Sequence, residues 1–103
     1  MLTFDGVLKS CEEFLTEDMA TEVVKAVHGY IVMFWDKERE EYDFFDLCHT
    51  PEELMNELVE SYGSYLSWLV CVNKDDPTAE EQAVIAEKQA VLLAKCLASA
   101  DKK

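Results

Sequence analysis

Glycine and proline are scarce in this chain, which has three glycines and two prolines among 103 residues. A loop that wraps a phosphate group needs closely spaced glycines, whereas Gly6, Gly29 and Gly63 are far apart. A flexible linker would need a run of glycine, serine or proline, and the sequence has no such run. We therefore expect one compact domain over residues 1–103 and no phosphate-binding loop.

Basic residues are also few, since nine lysines and arginines stand against twenty-two acidic residues, for a net charge of −13. A chain of this charge repels nucleic-acid phosphates and anionic membrane surfaces. Half of the residues are apolar, which is too many for a disordered acidic chain. We expect a folded protein whose acidic surface binds neither nucleic acid nor a membrane directly.

The sequence has no long apolar run and no signal-peptide pattern at its start. The longest run, residues 30–35, is about a third of the roughly 20 residues that a membrane helix requires. The first residues lack the basic and apolar segments typical of a secretory signal. We therefore expect a soluble cytoplasmic protein, located in the host cytoplasm if a phage encodes it.

Paired cysteine motifs are absent. Cys11, Cys48, Cys71 and Cys96 are far apart and include no C-x-x-C pair, so the spacing favours neither a zinc site nor a redox motif. We expect reduced, mostly buried thiols, because the chain lacks a secretory signal; two disulfides are the alternative.

No catalytic signature and no complete metal-binding motif is present. The alternating acids Asp36, Glu38 and Glu40 resemble the first half of a calcium loop. The sixth position of that loop must be glycine and the twelfth a bidentate acid, whereas here they are Glu41 and Leu47. We expect a protein that is not an enzyme and that binds neither a cofactor nor a metal ion.

Apolar spacing predicts helices in the first part of the chain. Residues 4–15 place apolar side chains at helical intervals and predict a short amphipathic helix. Residues 16–27, with Met19 on the apolar face, predict a second helix that ends at residues 28–29. The β-branched residues of 22–27 leave a strand as the alternative.

Capping sequences predict two longer helices in the second half. Residues 50–53, Thr-Pro-Glu-Glu, start a helix that continues to about residue 72. A break at Gly63 followed by a strand over 65–72 is the alternative, because glycine weakens a helix interior. Residues 78–81, Thr-Ala-Glu-Glu, start a final helix that runs to about residue 99.

Two aromatic and β-branched runs between these helices, residues 30–35 and 42–47, predict a β-hairpin with a polar turn at 36–41. Because every residue of 30–35 is apolar, we expect both faces of that strand to be covered, by helices or by a second copy of the chain. The predicted fold is α+β, with N-terminal helices and a β-hairpin (about 30–47) covered by two longer C-terminal helices (about 51–72 and 78–99).

Acidic residues are concentrated in residues 36–60, which hold ten of the twenty-two acids and two basic residues, a net charge of −8. Acids that share one side of a strand are about 6.8 Å apart and those on a helix face roughly 4.5–6 Å, the order of the phosphate spacing in nucleic acid. Such a surface can occupy a nucleic-acid-binding groove by mimicry, and solvation alone is the alternative role. We call the ten predicted partner-binding residues the acidic segment: Asp36, Glu38, Glu40, Glu41, Asp43, Asp46, Glu52, Glu53, Glu57 and Glu60.

The sequence thus favours a non-catalytic binding module. The first hypothesis is an inhibitor of the phage or mobile-element type, which mimics nucleic acid and docks on the basic surface of a DNA- or RNA-handling protein. The alternative is a small structural or adaptor subunit that forms homo- or hetero-oligomers, such as a homodimer, through the apolar face of the last helix. The residues predicted for that interface are Ile85, Leu92, Leu93 and Cys96.

Overall fold

A computed structural model of the chain describes residues 1–18 and 20–100, without the side chain of Phe44. Four helices and a three-stranded antiparallel sheet make up the described residues, and the predicted α+β class is confirmed. The elements in chain order are α1 (Phe4–Ser10), α2 (Glu12–Glu17), β1 (Thr21–Ala26), β2 (Gly29–Asp36), β3 (Glu41–Cys48), α3 (Pro51–Val70) and α4 (Ala79–Ser99).

The N-terminal helical segment divides in two at Cys11, which ends α1 and precedes α2. α1 begins after Thr3, whose hydroxyl accepts a hydrogen bond from the backbone N–H of Gly6 at 3.0 Å. The predicted helix over residues 16–27 is wrong, because residues 21–26 form β1 and pair along β2. Backbone pairing in a sheet outweighs the helical spacing of these β-branched residues. Met19, which belonged to that predicted helix, lies outside the described residues.

Gly29 begins β2 and does not end a helix as predicted. β1 and β2 are joined by the two residues Val27 and His28, and Ala26 pairs with Gly29. The φ angle of Gly29 is +147°, and a Cβ atom there would lie 2.2 Å from the carbonyl oxygen of Cys48. Glycine is therefore required at this position both for its backbone angle and for the close approach of β3.

The predicted hairpin of β2 and β3 is confirmed, with Tyr30 opposite Cys48 at one end. Near the other end Phe34 pairs with Phe44 and Trp35 pairs with Tyr42, which leaves one extra residue in β3 as a β-bulge. The side chain of Asp36 fixes the turn by accepting backbone N–H groups of Glu38 and Arg39 at 3.0 and 3.2 Å. The turn ends at Glu40, whose φ angle is +54°.

The two faces of the sheet have different surroundings. The inner face includes Val32 and Cys48, which are buried in the core together with residues of α1, α3 and α4. The outer face carries Val24, Phe45 and Leu47, which are all exposed. Within the described residues the helices therefore cover one face of β2, and cover of the other face by a second copy of the chain stays a prediction.

The helix α3 runs without a break through Gly63, as the preferred prediction stated, and the alternative strand over 65–72 is wrong. Gly63 is buried where α4 crosses, and a Cβ atom there would lie 2.1 Å from the side-chain nitrogen of Gln89. That nitrogen donates a hydrogen bond to the carbonyl oxygen of Val59 at 3.0 Å. The glycine thus lets a polar side chain of α4 reach the backbone of α3.

The final helix α4 begins with the predicted capping box, in which Thr78 and Glu81 exchange hydrogen bonds. α4 packs on α3 and α1, and it is α3 that lies on the sheet. The core between these layers is centred on seven fully buried side chains, Val7, Cys11, Val32, Cys48, Leu54, Leu58 and Cys96. Burial of each leucine contributes about 1.5–3 kcal/mol relative to exposure.

Candidate partner-binding surface

The residues of the acidic segment lie on the turn of the hairpin, on the edge strand β3 and on the first half of α3. Eight of its ten residues are exposed and two, Asp36 and Glu57, are half-buried. Among the described residues, the one ion pair that these acids make joins Arg39 to Glu41 at 3.6 Å. Most of the negative charge of the segment is therefore balanced only by solvent ions.

Two acids of the segment already bond to the local backbone, and a third is half-buried against a neighbouring strand. Asp36 holds the hairpin turn, and Glu53 accepts the backbone N–H of His49 at 3.1 Å. The hydroxyl of Thr50 in turn accepts the N–H of Glu53 at 3.2 Å, so two reciprocal hydrogen bonds cap the start of α3. In a standard capping box Glu53 would accept the N–H of Thr50, whereas here it accepts that of the preceding residue. The third acid is Glu57, which lies against β3.

The carboxyl group of Glu57 has an unusual environment for an acid on a helix surface. Burial between α3 and β3 raises its pKa from 4.5 to about 7, and Asp46 contributes further through a hydrogen bond and its charge, followed by the charge of Glu60. Glu57 is therefore partly protonated near neutral pH, next to the carboxylate of Asp46. Sequence analysis does not predict this contact, because Asp46 and Glu57 come from different elements.

A wide cleft of about 960 Å³ opens between the sheet and the second half of α3. Its walls are the α2–β1 connection, the end of β2 with the hairpin turn, and the face of α3 from Glu57 to Trp68. We call it the acidic cleft, since six acids and one basic residue line it: Glu17, Asp18, Asp36, Glu38, Glu57, Glu60 and Lys37.

Sequence analysis does not predict two of these acids, Glu17 and Asp18. Asp18 is buried and accepts hydrogen bonds from the N–H of Ala20 and the hydroxyl of Thr21, at 3.0 and 2.6 Å. It therefore fixes the start of β1. Glu17 is exposed at the end of α2, and no local sequence pattern links it to the acidic segment.

The aromatic residues of α3 divide into core and surface. Tyr62 and Tyr65 pack on Phe14, with ring centroids 5.1 and 5.9 Å apart. Trp68 is 69% exposed at the mouth of the acidic cleft, and Phe34 of β2 lines the same cleft with 38% exposure. An exposed tryptophan beside an acidic cleft is typical of an interface, because large aromatic rings lose much water-exposed area on binding.

The residues predicted for an oligomer interface on α4 occupy different positions from the exposed apolar ones. Leu92 and Cys96 are buried in the core of the chain itself, and Ile85 and Leu93 are half-buried. Leu92 and Cys96 therefore pack within the chain and offer no surface to a second copy. The exposed apolar residues of α4 are instead Val84, Val91 and Leu97.

The described residues also include four free thiols and two histidines. Cys11, Cys48 and Cys96 are buried and Cys71 is half-buried. Within residues 1–18 and 20–100, no three His, Cys, Asp or Glu side chains are grouped so as to hold a metal ion. None of the helices in that part of the chain has the length and apolar character needed to cross a membrane.

Comparison with known proteins gives no relative from which a role could be transferred, since no protein-family model, no curated protein and no solved structure matches the chain.

Proposed function

We propose that this protein is a non-catalytic acidic binding module that docks on the basic surface of another protein in the cytoplasm. The observation that supports the proposal is the exposure of eight acids within one continuous segment that has a single internal ion pair. Charge of one sign on one surface accelerates encounter with a partner of opposite charge and excludes like-charged partners.

The partner that this charge fits best is a protein that handles DNA or RNA. Its binding groove is already basic, because nucleic-acid affinity depends largely on phosphate contacts with lysine and arginine. Carboxylates spaced along the hairpin turn, β3 and α3 compete for those same cations. The proposed activity is therefore inhibition by mimicry of nucleic acid, as in the small inhibitors that phages and mobile elements encode.

Charge reversal tests the proposal. The variant Glu38→Lys, Glu40→Lys, Asp43→Lys, Glu60→Lys changes the acidic segment, and Glu12→Lys, Glu13→Lys, Glu80→Lys, Glu87→Lys makes the same change in net charge on other exposed positions. Immobilised protein is incubated with host lysate at about 50 mM salt, and bound proteins are released in salt steps. Circular dichroism checks that each variant is folded.

We expect the parent and the control variant to retain a basic protein that high salt releases, and the segment variant to lose it. The purified partner should then bind a labelled oligonucleotide, and the parent chain should compete with that oligonucleotide. Retention of no basic protein, or equal retention by both variants, would contradict the proposal.

A structural or adaptor subunit is the second candidate, and the exposed residues Val84, Val91 and Leu97 of α4 favour it. In that case the chain should self-associate independently of salt, as measured by sedimentation equilibrium. Val91, which is 65% exposed, is the position to change, because Val91→Glu adds charge without disturbing the core. A monomer at all concentrations tested would exclude self-association as the function.

A further inference from the structure

The acidic cleft leaves a large aromatic surface in water. Trp68 extends from α3 and Phe34 from β2, and both line the same opening of about 960 Å³. This volume lies at the upper end of the range for sites that enclose a small ligand or a few side chains. Exposed rings on two walls of a cleft gain free energy when a flat or apolar group enters between them.

The charge of the cleft determines which group fits. Asp18 and Asp36 already bond to nearby backbone and hydroxyl groups, but Glu17, Glu38 and Glu60 are exposed at the rim. These three carboxylates come from α2, the hairpin turn and α3, so they surround the opening from three elements. The occupant must therefore be cationic, and it must also present a surface that packs on aromatic rings.

We propose that the acidic cleft receives an arginine-bearing segment of the basic partner, with a guanidinium group stacked on Trp68 and paired with a rim carboxylate. This inference rests on the proposed function and adds the site and the chemistry of the contact. Arginine satisfies both requirements at once, because its planar group stacks on an aromatic face while its N–H groups bind a carboxylate. Lysine supplies the charge without the flat surface.

The test uses three acetylated, amidated peptides of six residues each: hexa-arginine, hexa-lysine and hexa-citrulline. Intrinsic fluorescence reports binding in the cleft, because both tryptophans of the chain, Trp35 and Trp68, line it. Dye-labelled peptides and anisotropy give the affinity where Trp68 is changed. We expect saturable binding of hexa-arginine at about 50 mM salt, weaker binding of hexa-lysine and none of hexa-citrulline.

Trp68→Leu should weaken hexa-arginine binding by about three- to thirtyfold, the range expected for loss of a cation–aromatic contact. The matched control is Phe45→Leu, which removes an aromatic ring with 65% exposure from the outer face of the sheet. That variant should bind as the parent does. Equal affinity for arginine and lysine peptides together with no effect of Trp68→Leu would overturn the inference.

Three charge-reversal pairs separate the cleft from the general acidic surface: Glu38→Lys with Glu60→Lys in the cleft, Asp43→Lys with Glu52→Lys elsewhere in the acidic segment, and Glu12→Lys with Glu87→Lys outside both. The cleft pair should weaken binding most. Equal loss from the first two pairs would overturn the cleft and leave the proposed function standing. Equal loss from all three would contradict both.

Discussion

The sulfur atoms of Cys11 and Cys96 lie 3.8 Å apart at the centre of the core, and both side chains are fully buried. The pair connects the junction of α1 and α2 with the last turns of α4, across 85 residues of sequence. The hydrogen bond between the thiols, together with burial, raises the pKa of Cys11 far above its ordinary range. The same hydrogen bond lowers the pKa of Cys96, so it is the complete burial of both side chains that we expect to keep both thiols unreactive while the protein is folded.

Thiol labelling of the native protein at pH 8 should modify one cysteine quickly, and that residue should be Cys71. It is the one half-buried cysteine, whereas burial, with Asp46, Glu57 and Glu53, raises the pKa of Cys48 to about 11. Mass spectrometry of digested samples identifies the labelled site. All four should react in denaturant, and fast native labelling of Cys11 or Cys96 would mean that the core is open.

Gly63→Ala should change the free energy of unfolding by less than about 1 kcal/mol, because two effects of similar size oppose each other. Alanine favours a helix interior by about 1 kcal/mol. The added methyl group displaces the side chain of Gln89 and removes its hydrogen bond to Val59, which is also worth about 1 kcal/mol.

A double-mutant cycle with Gln89→Ala separates these effects. In the Gln89→Ala background no long side chain obstructs position 63, so Gly63→Ala should then stabilise the protein by about 1 kcal/mol in urea unfolding. Additive effects of the two changes would show that Gly63 and Gln89 are not coupled.

Gly29→Ala should destabilise the protein by more than about 2 kcal/mol. The new Cβ atom meets the backbone of Cys48, which cannot rotate away, and the φ angle of +147° is itself unfavourable for alanine. Gly6→Ala is the matched control, since its nearest neighbour is the rotatable hydroxyl of Ser99 at 2.8 Å. Thermal unfolding measures both, and an equally small loss at both positions would contradict the prediction.

The stability of the protein should depend on pH through Glu57. Folding raises the pKa of this group from 4.5 to about 7, so the folded state binds the proton more tightly than the unfolded state does. The stabilisation that the bound proton provides is present below pH 4.5 and is lost as the pH rises through 7. Glu57→Gln should therefore be more stable than the parent at pH 8, by about 1 kcal/mol after solvent screening of a partly exposed group.

The pH profile of urea unfolding checks this prediction. The difference between Glu57→Gln and the parent should grow between pH 4.5 and 7 and stay constant above that range. Glu87→Gln, at an exposed position of α4, should follow the parent throughout. If the profile of Glu57→Gln ran parallel to that of the parent, the carboxyl group of Glu57 in the parent would titrate normally.

The helices α3 and α4 could be predicted from the sequence because their signals are local. Thr50 and Thr78 accept the N–H groups three residues ahead, as the capping patterns indicate. The strand β1 could not be distinguished from a helix by the same means. Its identity depends on pairing with β2, and nothing within residues 21–26 records that neighbour.

The acidic cleft shows the same limit for a site. Its walls come from three separate parts of the chain, around Glu17, Phe34 and Trp68. The sequence shows the charge of residues 36–60, but it does not show that Glu57 is half-buried against Asp46. An exposed aromatic ring is also indistinguishable from a core ring before the packing of α3 is known, as Tyr65 and Trp68 illustrate.

The position of β3 at the edge of the sheet gives its acids a second effect. An edge strand has unpaired backbone groups that can recruit a strand from another molecule, and Glu41, Asp43 and Asp46 oppose that addition by mutual repulsion. The variant Glu41→Gln, Asp43→Asn, Asp46→Asn removes these charges and keeps the shape of the side chains. The repulsion is then lost while Phe45 and Leu47 remain exposed, so the variant should form intermolecular β-sheet and aggregate.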